Sequence, residues 1–203
     1  MPLTRLNLSS CKQVNDLAPL AGMKLTVLDL PYTAVKDLAP LKGMPLTCLN
    51  LDSTQVADLA PLQGMPLTSL NLALTLVTDL TPLKGMPLTN LSLFQSREVN
   101  GITALAGMPL TRLNLSACHK IKDLTPLKGM LLTELNLGGT RATDLTPLEG
   151  MQLSEFVFFP KIIRQGIEII RNMKSLDRIG GDGSARSWPP AEFWRRCDAG
   201  EFK

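Results

Sequence analysis

With 203 residues, 44% of them hydrophobic and 19% charged, the chain is sized for one extended soluble domain with a continuous core. Its net charge of +3, with no run of Lys or Arg longer than two, gives no basic stripe for a nucleic acid. No apolar run approaches the length of a membrane span, and Met1-Pro2-Leu3-Thr4 is not the start of a signal peptide.

The first element is already part of a pattern. L-T-x-L-x-L begins at Leu3 and returns at Leu25, Leu46, Leu67, Leu88, Leu110, Leu132 and, worn, at Leu153, every 21 or 22 residues. A fixed period of this size predicts a solenoid in which each unit adds one parallel strand and buries its leucines against its neighbours. Met1-Pro2-Leu3-Thr4 matches Met44-Pro45-Leu46-Thr47, so the chain starts inside a unit. The expectation is a longer natural protein with repeats or a domain before Met1, or a partner chain that covers the open first strand. Self-association through the uncapped Leu3 unit follows from the second possibility.

In the unit from Leu46, strand alternation sends Leu46, Leu49 and Leu51 inward and leaves Thr47, Cys48 and Asn50 on or near the other face. Thr54 turns the chain and Val56 is buried again. The stretch D-L-x-P-L, from Asp58 here, recurs at Asp16, Asp37, Asp79, Asp123 and Asp144. Aspartate accepts from amides just ahead of it and proline is rigid, which predicts a short 3-10 turn capped by the acid. Gly-Met, here Gly64-Met65, turns the chain back.

These residues, L-x-x-L-x-L-x-x-(Cys/Thr)-x-(Val/Ile) followed by D-L-x-P-L, resemble leucine-rich repeats of the short bacterial and SDS22-like kinds, over about Leu3 to Phe158. The resemblance implies an α/β repeat fold: a right-handed solenoid with its parallel sheet on the concave face, 3-10 turns on the convex face and a helical cap at the C-terminal end. The residues divide into eight repeats over 1–158 and a cap with an aromatic tail over 159–203. The usual turn asparagine is replaced by Cys11 and Cys118 in two 22-residue units and by Thr33, Thr54, Thr75 and Thr140 in 21-residue units. A thiol or hydroxyl there is expected to bond the backbone of the neighbouring coil.

Members of this family usually hold ligands on the concave sheet. One outward row reads Arg5, Val27, Cys48, Ser69, Asn90, Arg112, Glu134, Glu155; the next is almost all asparagine, from Asn7 to Asn136. The varied row has the character of a binding surface. The asparagines are expected to form an amide ladder along the sheet, or else to grip a polar ligand. Just past the strands come Tyr32, Leu74 and Phe94, which either meet solvent at the rim or fold inward over the coil edge. The candidate binding residues are Tyr32, Cys48, Ser69, Leu74, Asn90, Phe94, Arg112 and Glu134. The unit from Leu88 loses its Asp and Pro and gains a residue, through repeat drift or as a bulge that serves a partner.

Pro160 to Lys174 reads as a helix, Ser175 to Ile179 as a last short strand, and Gly180 to Gly183 as a flexible break. The helix that follows should start on Pro189-Pro190 and bring Trp188, Phe193 and Trp194 together as a lid over the final coil. The closing stretch also looks like the C-terminal end of the repeat regions of large bacterial serine/threonine protein kinases. None of the kinase motifs is present.

Catalytic chemistry is not expected. His119 stands beside Cys118, but neighbours in an extended turn point apart. The repeated aspartates have capping roles and no adjacent acids to complete a metal cage. Four dispersed cysteines without a CxxC pair suggest reduced thiols and a cytoplasmic setting. The reading is therefore a protein-interaction module within a larger bacterial signalling protein, with no cofactor and an unidentified protein partner. A surface adhesin or glycan reader, and a structural spacer, remain as alternatives.

Overall fold

The computed structural model describes residues 3–181 and 186–202. Nine short strands line up in sequence order in one parallel sheet: β1 (Arg5–Asn7), β2 (Val27–Asp29), β3 (Cys48–Asn50), β4 (Ser69–Asn71), β5 (Asn90–Ser92), β6 (Arg112–Asn114), β7 (Glu134–Asn136), β8 (Glu155–Val157) and β9 (Arg178–Gly180). Register is constant, with Leu28 opposite Leu49 and Leu49 opposite Leu70. The solenoid predicted from the period is therefore the fold. β9 continues the sheet close to where S-L-D-R-I suggested it.

Each coil closes on the same set of apolar side chains. In the third coil Leu46, Leu49, Leu51, Val56, Leu59, Leu62 and Met65 are all buried. Met65 thus does more than follow a turn glycine: it seals the core beneath the 3-10 turn. Those turns lie where D-L-x-P-L predicts them, for example at Ala18–Leu20, Ala39–Leu41 and Ala60–Leu62. Asp16, Asp37, Asp58, Asp79, Asp123 and Asp144 each accept from the amide two residues on at 2.8 Å. In the fifth coil, which lacks both Asp and Pro, Thr103–Leu105 still forms the turn. β5 stays in register with both neighbours. The extra residue is no bulge in the strand. It sits in the following turn, as in the other 22-residue coils.

Two side-chain networks differ from expectation. The asparagines do not link strand to strand. Asn50, Asn71, Asn114 and Asn136 use their Oδ1 to accept from the amides of Asp52, Ala73, Ser116 and Gly138, each two residues on. An asparagine at the end of a strand satisfies the turn that follows it, a local bond with little ordering entropy to overcome. The ladder is made by threonine instead. Thr26 donates its hydroxyl to the Thr4 carbonyl, Thr47 to Thr26, Thr68 to Thr47, and so on through Thr89, Thr111, Thr133 and Ser154. The turn hydroxyls also split by coil length. Thr33, Thr54, Thr75 and Thr140 bond the carbonyl three residues back in their own coil. In the longer coils Ser96 reaches Leu72 and Cys118 reaches Leu93, in the preceding coil. Cys11, in the first coil, is exposed.

The helix expected over 160–174 is broken into a 3-10 turn at Pro160–Ile162 and a short helix α1 (Ile167–Arg171). The backbone between them is spent on pairing: Arg164 and Gln165 donate to the Thr143 carbonyl, and Leu145 donates to Gln165. Gly166, at φ +78°, turns out of this pairing into α1. Of the flexible break expected over Gly180 to Gly183, Gly180 belongs to β9 and Gly181 is buried, while 182–183 lie outside the described residues.

Helix α2 (Pro190–Asp198) begins on proline as predicted and closes the end of the core. Phe193 is fully buried among Phe158, Trp188, Trp194 and Phe202, with ring centroids 4.8–6.4 Å away. Trp188 and Ile179 exchange backbone hydrogen bonds, which ties the lid to β9. One ion pair fastens its outer side to α1, and others brace α2 from within. Arg171 holds Asp198 at 2.7 Å, and Glu192 holds Arg195 and Arg196. Hydrogen bonds from Arg195 and then Arg196 pull the Glu192 carboxyl down to about 2. Asp198 is lowered by Arg171. A depressed carboxyl pKa adds stability that is complete above the ordinary glutamate value of 4.5 and is lost as pH falls toward about 2. Tryptophan emission, which reports on this lid, should therefore move through that acid window, and by less in Glu192→Gln. Equal acid sensitivity in both proteins would show that the clamp has no part in it.

Candidate interaction surface

The outward row of the sheet is the same set of positions in every coil, and the register stacks Cys48, Ser69, Asn90, Arg112, Glu134 and Glu155 side by side. From Ser69 to Glu155 these residues line a shallow groove of about 310 Å3, with Asn71, Asn114 and Asn136 along its other flank. Ser69, Asn90, Arg112 and Glu134 are therefore brought together; Cys48 adjoins them one coil away and does not line the groove. Arg112 donates through Nε to Asn90 at 2.9 Å and lies 4.0 Å from Glu134. The guanidinium is held across two strands yet stays exposed, so its remaining donors face solvent. Glu155 also lines the groove. It was visible in the sequence row but not among the expected site residues.

Tyr32, Leu74 and Phe94 form the rim past the strands, and all three meet solvent at 54%, 41% and 36% exposure. They do not fold over the coil edge. Leu74 and Phe94 are on adjacent coils, joined by the bond from the Leu74 amide to the Phe94 carbonyl. Tyr32 is separated from them by the coil of Ser53, roughly 10 Å away at two strand spacings. Leu76, exposed beside Leu74, extends the apolar surface. Its signal in the sequence is plain afterwards: the position before the buried Val holds Ala34 and Gln55 in the preceding coils.

The backbone adds a second feature. The position of Tyr32 and Leu74 is left-handed in seven successive coils: Ser10, Tyr32, Ser53, Leu74, Gln95, Ala117 and Gly139 have φ between +54° and +76°. Gly139 meets this demand freely. A bulky residue does so only against steric repulsion of about 1–2 kcal/mol. Tyr32 and Leu74 are thus both exposed and strained, a combination that neither packing nor local propensity favours.

Catalytic groups do not assemble. The Cys118 thiol is buried, donates to the Leu93 carbonyl, and is pushed up to about 11 by desolvation, so it carries no thiolate at neutral pH. His119 turns outward and bonds the Gly139 carbonyl through Nδ1. Among the described residues no three metal-ligating side chains gather, and no helix is long and apolar enough to cross a membrane.

No protein-family model matches the sequence, and no curated protein does. Solved structures do. An internalin of Listeria monocytogenes (inlF) aligns with a TM-score of 0.73 over 87% of this chain at 24% identity, and this chain spans 54% of its length. Internalin C2 (inlC2) of the same organism aligns with a TM-score of 0.66 at 32% identity, covering 77% of this chain and 71% of its own. With the nine-stranded parallel sheet, the 3-10 turns and the repeat motif in agreement, the chain belongs to the internalin family of leucine-rich-repeat proteins.

Proposed function

We propose that the chain is a protein-binding module whose contact surface combines the groove from Ser69 to Glu134 with the rim of Tyr32, Leu74 and Phe94, and with Cys48 at its edge. The observation that carries this reading is the exposure of Tyr32 and Leu74 in left-handed backbone, where glycine would be stable and soluble. An exposed aromatic and aliphatic rim beside a fixed arginine has the composition of an interface hot spot. Four free thiols support a reducing, cytoplasmic setting. Placement within a larger bacterial signalling protein rests on the likeness of the closing stretch. β1 has no strand on its outer side among the described residues and Leu6 and Leu8 are only half-buried, so self-association through this edge belongs to the same proposal. A monomer in sedimentation at the highest attainable concentration would remove that part of it.

The test uses the strain. Tyr32→Gly and Leu74→Gly remove apolar surface while relieving the backbone, so stability in urea should hold or rise by up to about 1 kcal/mol. Capture of proteins from a native extract should fall with these variants and with Phe94→Ala or Arg112→Glu. A partner held by the wild type and lost by the folded variants supports the module. Partners retained equally by all of them put binding elsewhere, and no partner at all favours the spacer.

A further inference from the structure

The seventh and eighth coils differ from the others on the turn flank. The position ahead of the inward-facing Val, Ile or Ala holds Gln13, Ala34, Gln55, Leu76, Glu98 and Lys120 in the first six coils and Arg141 in the seventh. In the eighth the regular turn is replaced by the 3-10 turn Pro160–Ile162, followed by extended backbone paired to Thr143. The result is a pocket of about 470 Å3 between the two coils, lined by Thr140, Arg141, Thr143, Lys161, Ile162 and Arg164. It lies away from the concave groove and shares no residue with it.

Three cations therefore surround one concavity. None of Arg141, Lys161 and Arg164 is in an ion pair with an acid among the described residues, whereas Lys120 on the neighbouring coil is paired with Glu98 at 2.7 Å. All three are exposed, so none is committed to the core. The acid nearest in sequence, Asp144, has one oxygen engaged in capping the Thr146 amide. The Thr140 hydroxyl spends its proton on the Leu137 carbonyl, which leaves its oxygen as an acceptor. The lining thus has a surplus of positive charge and two guanidinium forks, whose planar donor pairs match the oxygens of a tetrahedral anion. Ile162, 38% exposed at the same pocket, offers an apolar contact beside the charges.

We infer that this pocket binds an organic phosphate monoester, its dianionic head among Arg141, Lys161 and Arg164 and its carbon portion against Ile162. Charge selects the class. A phosphate monoester carries about −1.5 to −2 at neutral pH, closer to three cations than the single charge of a sulfate ester or a carboxylate. The apolar side chain of Ile162, exposed at the same concavity, selects an ester over a bare anion. The inference is independent of the concave-face proposal, because it uses other residues on another face.

Calorimetric titration of the full chain at low ionic strength, where exposed charges are least screened, tests it with phenyl phosphate, phenyl sulfate and inorganic phosphate. Phenyl phosphate should bind at a single site, roughly tenfold tighter than phenyl sulfate, as expected for losing one charge-assisted contact. It should also bind more tightly than inorganic phosphate. Arg141→Gln and Arg164→Gln should each weaken it about tenfold. Lys84→Gln and Lys128→Gln, which remove the same charge from the convex side, should leave it unchanged. No heat with phenyl phosphate, equal affinity for the sulfate ester, or equal loss in the convex-side variants would each overturn the site. Inorganic phosphate binding as tightly as the ester would overturn the role of Ile162.

Discussion

Phe193→Ala should detach the C-terminal lid while the repeats stay folded. Phe193 is fully buried and touches four aromatic rings, so its removal leaves a cavity that the lid cannot fill without losing the remaining stacking. Large-to-small changes of this kind cost about 3–5 kcal/mol. The loss is local because a solenoid is held together coil by coil, with each unit contacting only its neighbours. Both tryptophans, Trp188 and Trp194, lie in the lid, so their emission reports on it separately from the far-ultraviolet signal of the whole sheet. In urea the variant should show an early fluorescence transition and a later one by circular dichroism, where the wild type is expected to show closer agreement. A variant whose two transitions coincide at the wild-type midpoint would mean that the lid is held by something other than this residue.

The second large effect separates glycines that look alike by dihedral angle. Gly43 and Gly166 have φ +74° and +78°. A methyl group on Gly43 would meet nothing within 4 Å, so Gly43→Ala should cost only the left-handed backbone penalty of about 1 kcal/mol. On Gly166 the same methyl would stand 2.7 Å from the Thr146 nitrogen and 2.8 Å from the Leu145 carbonyl carbon, both backbone atoms. It must push the α1 segment away from the seventh coil, breaking the bond from Leu145 to the Gln165 carbonyl. Gly166→Ala should therefore destabilise by about 3 kcal/mol or more, with steric clash added to backbone strain. Denaturant midpoints of the two variants settle it. Similar losses would mean that the contact at Gly166 relaxes freely.

The repeat made most of the architecture readable. Leucine at fixed spacing specified strand, face and register, and Asp with Pro specified the convex turns, because each is dictated by local geometry that recurs. What escaped was the choice among groups able to make the same bond. The asparagines alone were expected to run a ladder along the sheet, and the strand threonines, given no such role, run it instead. The asparagines sit at strand ends, where the turn amides lie two residues away, while the threonines stand just ahead of each strand, beside the preceding coil's threonine carbonyl, which also accepts two backbone amides. That distinction needs the three-dimensional position and not the spacing. The broken helix over 160–174 was missed for a related reason. Its isoleucines have helical periodicity, but the backbone of Arg164 and Gln165 is claimed by Thr143, a contact between segments about 20 residues apart that no local pattern encodes. On the surface, the exposure of Tyr32, Leu74 and Phe94 could be suspected from their types. The strain on the first two could not.

The threonine ladder has a further consequence. Every coil offers the next the same carbonyl and receives the same hydroxyl, and coils of 21 and 22 residues obey it alike, since the additional residue is absorbed in the turn. Adjacent units are thus interchangeable at their joints, and the number of coils can drift by duplication or loss without altering any joint that remains. The surface, by contrast, is rewritten by each such event. Excision of the unit from Leu46 to Pro66 would leave Leu25 and Leu67 coils able to stack as any neighbours do, yet it would set Tyr32 directly beside Leu74, with Phe94 on the next coil. In a protein of this build, the gain or loss of one whole coil makes a new surface without a change in any single side chain.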